Sequence, residues 1–186
     1  MRGMSDHDGY EIRAIAPEVA KRLRIRDDAG DPPRMVVDDE EGDSPLRCCL
    51  GRSRPGETIA LVSYAPLRRW AEETGAEPGP YDEQGPVFLH AEECDGWTGP
   101  GFPSGIWGDH RVLRAYSATG TILGGRLLTG AGQRACEETL SELYADPEVA
   151  VVHVRCVEFG CFVAETRRVG WSGWARAGAR CTGRGG

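Results

Sequence analysis

Hydrophobic and polar positions along this chain follow two rhythms, one of period two and one near 3.6 residues, and the changes between them mark the elements. Residues 10–15 alternate as a short strand, and Pro17 suits the first turn of a helix that runs to Arg24. Residues 27–44 are nearly all turn formers and acids, which predicts an acidic surface loop with a small edge strand at Met35 to Val37. The run Ile59, Leu61 and Val62 behind the Pro55-Gly56 turn predicts a buried strand over 57–64. Residues 65–86, with many turn formers around Trp70 and Tyr81, are expected to cross the surface. A strand over 86–90 then sets Val87 and Leu89 against Phe88 and His90.

Residues 92–110 hold Gly, Pro and Trp without periodicity, a loop long enough to suggest a binding role. Two strands, 111–117 and 121–128, flank the turn Ala118-Thr119-Gly120. The one long helix is expected over 131–145, where Ala135, Thr139, Leu140, Leu143 and Tyr144 recur at helical spacing and Glu137, Glu138 and Glu142 fill the other face. A closing hairpin spans 149–166, and the Gly, Arg and Trp tail 169–186 is expected to be poorly ordered. These elements predict an α+β fold: one compact domain over 1–168, a mostly antiparallel sheet with two helices packed on it, and long acidic and aromatic loops. The strand order does not follow from the pattern.

Composition narrows the partners. A net charge of −7 lacks the basic face that releases counterions from nucleic acid, so nucleic acid is set aside. Neither a signal-like apolar start nor a span of 18 apolar residues occurs, which points to no membrane and a cytoplasmic protein. Seven Cys without a secretory signal favour reduced thiols over a disulfide framework. Lys21 is the only Lys, which argues against Schiff-base chemistry. Nucleotide loops, the hydrolase elbow and the zincin helix motif are all missing, so no cofactor is implied.

The chemistry gathers on the last hairpin, VAVVHVRCVEFGCFVAET. Alternation puts His153 and Arg155 on one face of its first strand and Cys156 on the other. A four-residue loop at 157–160 pairs Cys156 with Cys161 and sends both away from His153. A bulge at Gly160 instead pairs Arg155 with Cys161, where a cationic setting lowers a thiol pKa and makes a nucleophile. Elsewhere His90 and Cys94 have a spacing compatible with metal ligation, with Cys48 and Cys49 as further thiols. Adjacent cysteines in extended chain, however, face opposite sides and chelate poorly. Trp97, Phe102, Trp107 and Tyr81 are candidates to line a pocket near the loop after His90.

Several segments together resemble a bacterial family, domain of unknown function 1203: PLRCCL at 45–50, PGE at 55–57, SY at 63–64, PYDEQGPVFLH at 80–90, LRAYSATG at 113–120 and VVHVRCVEFGCF at 151–162. The resemblance covers residues 10–168 and implies one compact domain with Arg47, Tyr81, His90, Arg114, His153, Arg155 and Cys161 at recurring positions. The family often carries Cys where this chain has Leu46, and Asn where it has Cys156 after His-x-Arg. A Cys/His/Asn triad is therefore not carried over. The resemblance brings no reaction with it.

Three expectations follow. The first is a small enzyme acting on an anionic or carbonyl-bearing metabolite, with Arg155, Arg114, Arg47 and Tyr81 binding substrate, His153 or His90 as acid/base and Cys161 as nucleophile. The second is a non-catalytic domain that binds a small ligand or a protein, with a homodimer left open. The third is a zinc-stabilised domain using His90 and Cys94 with another Cys.

Overall fold

Val149–Cys156 carries eight residues of which six in a row are buried, and a strand covered on both faces belongs at the centre of a sheet. In the computed structural model, which describes residues 9–99, 103, 108–130 and 132–170, this strand is indeed central. The elements run β1 (Tyr10–Arg13), α1 (Pro17–Leu23), β2 (Arg34–Val37), β3 (Pro45–Leu46), β4 (Gly51–Arg52), β5 (Thr58–Tyr64), α2 (Pro66–Thr74), β6 (Gly85–His90), β7 (His110–Ser117), β8 (Ile122–Thr129), α3 (Gln133–Tyr144), β9 (Val149–Cys156) and β10 (Phe162–Arg168). The tail beyond 170, with Cys181, and the aromatic residues Phe102 and Trp107 lie outside the described residues.

The α+β class stands, and the sheet is two sheets. One has the order β1-β10-β9-β7-β8 and is antiparallel throughout. The other has the order β2-β5-β6-β3-β4, with a single parallel pairing between β3 and β6. Side-chain alternation in β9 serves two helices at once. Val152 and Val154, with Leu113 and Ala115 of β7, pack under Cys136, Leu140, Leu143 and Tyr144 of α3. Val151, with Tyr116 of β7, packs under Leu67 and Trp70 of α2. The second sheet buries Ile59, Val62, Val87 and Leu89 in one cluster with Val19, Ala20 and Leu23 of α1. Phe162 of β10 joins that cluster and meets Tyr64 of β5 edge to face at 5.3 Å, so the two sheets share a core.

Helix α2 occupies part of the segment expected to cross the surface, and it makes three helices where two were expected. Arg68, Arg69, Glu72 and Glu73 leave only Leu67 and Trp70 to mark an apolar stripe. Burial of each such side chain contributes about 1.5–3 kcal/mol, enough to hold nine residues helical once a sheet is there to receive them. Among the described residues no helix is long and apolar enough to cross a membrane.

Candidate functional site

The register of the last hairpin settles the parity question. The Cys156 amide donates to the Cys161 carbonyl at 3.0 Å, so these two residues face each other across a four-residue loop. A bulge does occur, but it falls between Phe162 and Ala164, beyond Cys161. It leaves Glu165 directly opposite His153, with Arg114 of β7 on the other side. His153 is fully buried between Tyr116, at 4.8 Å, and Phe162, at 5.4 Å. Its Nε2 lies 3.3 Å from Glu165 Oε2, and its buried Nδ1 has no hydrogen-bond partner among the described residues. Burial lowers the His153 pKa against the opposing pull of Glu165, so the ring is neutral and Nε2–H donates. Burial would raise Glu165, but His153 and Arg167 outweigh it and hold the carboxyl below its usual range.

Arg114 and Arg155, expected to hold substrate, converge on Glu83 instead. Arg114 Nη1 reaches the two Glu83 oxygens at 2.9 and 2.8 Å, and Arg155 Nη1 is 3.2 Å from Oε2. Arg155 Nε also donates to the Gly160 carbonyl at 3.0 Å. Tyr81 sits in a short 3-10 turn at Gly79–Tyr81 and is largely exposed. On this face of the first sheet Arg114 and Arg155 form one ion-pair cluster on Glu83, and neutral His153 packs beside it against Glu165.

The thiols point to the other side. Cys156 and Cys161 line a pocket of about 500 Å³ between the sheets, whose walls include Leu61, Phe88, Val163 and Phe159. Three arginines face the same space: Arg47, Arg52 and Arg111. Arg47 is only 5 % exposed. Its Nε donates to the Phe162 carbonyl at 2.8 Å and its Nη1 to the Pro45 carbonyl, yet no carboxylate among the described residues pairs with it. Burial lowers its pKa to about 10. Burial likewise pushes the Cys161 thiol up, and that thiol donates towards the Phe159 carbonyl, so it is a protonated wall of the pocket. Of the residues expected to be catalytic, this pocket contains Cys161 but neither His153 nor His90.

His90 ends β6 in a third environment. The chain turns through residues 47–50 between β3 and β4, with Leu50 at a φ of 56°, and this turn brings both Cys48 and Cys49 to one side. Extended chain would have separated them; the turn removes that objection. Sγ of Cys48, Cys49 and Cys94 and a ring nitrogen of His90 all lie within 4.8 Å of one another. His90 Nδ1 is 2.6 Å from Glu57 Oε1, while Nε2 faces Cys49 Sγ at 3.5 Å. The His90 amide donates to Cys48 Sγ at 3.3 Å. The Cys48 thiol donates to Cys49 and favours its thiolate, which raises Cys48 in turn.

Of the single site expected from the sequence, with Arg47, Tyr81, His90, Arg114, His153, Arg155 and Cys161, the pocket holds only Arg47 and Cys161, and Arg52, Arg111 and Glu57 were not singled out. Arg111 lies across from Cys156 on neighbouring strands, a pairing that no sequence pattern announces. Of the aromatic loop, Trp97 packs against the cluster beneath α3. The profile of the family described as "Protein of unknown function (DUF1203)" matches residues 43–168, which contain every side chain named in the pocket and in the thiol cluster. No curated protein and no solved structure matches the chain.

Proposed function

This chain belongs to the DUF1203 family, whose description gives no activity, and we propose from its geometry that it binds a small, largely apolar ligand carrying one anionic group. The observation that carries the reading is Arg47. A buried guanidinium without a counter-ion is costly, and a ligand carboxylate or phosphate in the adjoining pocket would supply the missing charge. Arg52 and Arg111 add positive potential, and the Leu61, Phe88 and Val163 walls suit an apolar body. Glu158, the acid at the rim, is engaged with His110 Nδ1 at 2.8 Å. Binding is favoured over catalysis because the histidines expected as acid/base lie elsewhere and Cys161 is protonated. The reduced thiols fit a cytoplasmic protein.

Straight-chain carboxylates from acetate to decanoate, with decanamide as the uncharged match, test the reading by calorimetry. Affinity should rise with chain length and fall about 10-fold to 100-fold for the amide or for Arg47→Gln, since a charge-assisted hydrogen bond is worth ~1.5–3 kcal/mol. Equal affinity for decanoate and decanamide, or no binding by any member of the series, would overturn it.

A further inference from the structure

We propose that Cys48, Cys49, His90 and Cys94 form a closed tetrahedral zinc(II) site. It stands apart from the pocket reading and needs none of the pocket arginines.

Four ligand atoms from two separate stretches of chain converge here: the turn between β3 and β4, and the end of β6 with the loop that continues from it. Their greatest separation is 4.8 Å. In a tetrahedral site with Zn–S near 2.3 Å, neighbouring sulfurs sit about 3.8 Å apart, so small side-chain shifts close the cluster around an ion. Three thiols and an imidazole form a Cys₃His set, one of the common structural zinc sets, and soft sulfur ligands discriminate against magnesium and calcium.

The thiols pack at the edge of the second sheet's core, and their polar surroundings suit a metal ligand set. Glu57 accepts from His90 Nδ1, which fixes the tautomer and leaves the Nε2 lone pair directed at the thiols. A backbone amide addresses sulfur: His90 N–H donates to Cys48 Sγ at 3.3 Å. Such a bond stabilises a thiolate, the form that binds zinc. Gly51 matters sterically, because a Cβ there would stand 3.3 Å from Cys49 Sγ. Three thiolates and one zinc leave a charge of −1, and the Arg24 guanidinium is held at the same place by its Nε bond of 2.8 Å to the His90 carbonyl.

The ion would add a fastening to the irregular stretch after β6, which otherwise rests on packing of Cys94 and Trp97 against the core. Residues 91–99 form no strand or helix, and Lys21 with Glu93, at 3.1 Å, is a surface pair of small worth. Zinc would tie this stretch to the turn that carries Arg47.

The test uses the full chain purified under reducing conditions. One zinc per chain is expected by elemental analysis, and cobalt(II) exchanged into it should show the intense visible bands of a tetrahedral thiolate site. Cys94→Ser should lose stoichiometric zinc, Cys136→Ala should keep it, and Glu57→Gln should weaken zinc about 10-fold to 100-fold, the usual effect of removing such a carboxylate. Titration of the metal-free wild type with zinc against a chromophoric chelator needs no variant to fold. The proposal is overturned if that titration shows no binding tighter than micromolar, or if mass spectrometry of the freshly isolated protein finds these cysteines joined as disulfides.

Discussion

Three histidine–carboxylate pairs occur among the described residues; His110 with Glu158 lies at the surface, and the other two do opposite things. His153 faces Glu165 in the middle of the first sheet, with both side chains buried and Arg167 closing the other side of the carboxylate. His90 faces Glu57 at the end of a strand in the second sheet, half-buried, with three thiols on its far side. The pairing is chemically the same. What differs is the other ring nitrogen: Nδ1 of His153 is enclosed without a partner among the described residues, whereas Nε2 of His90 looks onto sulfur. A histidine oriented by a carboxylate becomes a ligand only where its free nitrogen meets something that can share a metal; without that it is a packed component of the core.

The sharpest way to separate the two is to remove each carboxylate. Glu165→Ala leaves the buried, neutral His153 without its acceptor and Arg167 with only the half-exposed Glu73, and should cost about 2–3 kcal/mol of stability in urea denaturation, the usual cost of an unsatisfied buried polar group. Glu57→Ala, at a site open to water, should cost about 1 kcal/mol in the metal-free protein. Equal losses would show that the two pairs are equivalent structural contacts and would erase the contrast.

Acid should separate them next. Because the His153 pKa is lowered in the fold, the unfolded chain takes up a proton first as pH drops below 6.5, so stability falls from there towards the depressed folded value. Glu165 is also lowered, and its contribution, present above 4.5, is lost as pH falls below that. Below pH 6.5 the His153 contribution should decline as pH falls, by no more than about 1.4 kcal/mol per pH unit for a single proton. His153→Gln should remove that early slope while leaving the steeper loss below 4.5. An unchanged slope in the variant would mean that another group carries it.

How much of this was legible in the sequence depends on what fixed each feature. The alternation of β9 was readable because period two is a local property, and it put His153 and Arg155 on the face opposite Cys156. Which side Cys161 joined was undecided until a cross-strand hydrogen bond fixed the loop length. Helix α2 was hidden because two buried side chains among charges carry little periodicity without the sheet they pack on. The thiol cluster was half visible: His90 and Cys94 could be paired by spacing, but the turn through Leu50 that gathers Cys48 and Cys49 is a tertiary choice of backbone. Glu57, 33 residues before His90, is brought to it by pairing of β5 with β6, and no short motif announces that.

Glu83 offers the smallest and most discriminating test of the first sheet's polar face. It holds Arg114 through both oxygens and Arg155 through one, and its own side chain is 46 % exposed. Because water already screens this carboxylate, Glu83→Gln should cost no more than about 1 kcal/mol. Its larger effect should be on charge: two arginines would lose their internal anion while Arg155 kept its Gly160 bond. If the arginine pair is a structural lattice, the variant should bind decanoate with wild-type affinity, since the ligand would still enter beside Arg47 on the other side of the sheet. A gain in anion affinity of about 10-fold would instead show that Glu83 occupies a second anion site in place of a ligand, and Arg114 and Arg155 would regain the substrate-holding role expected for them.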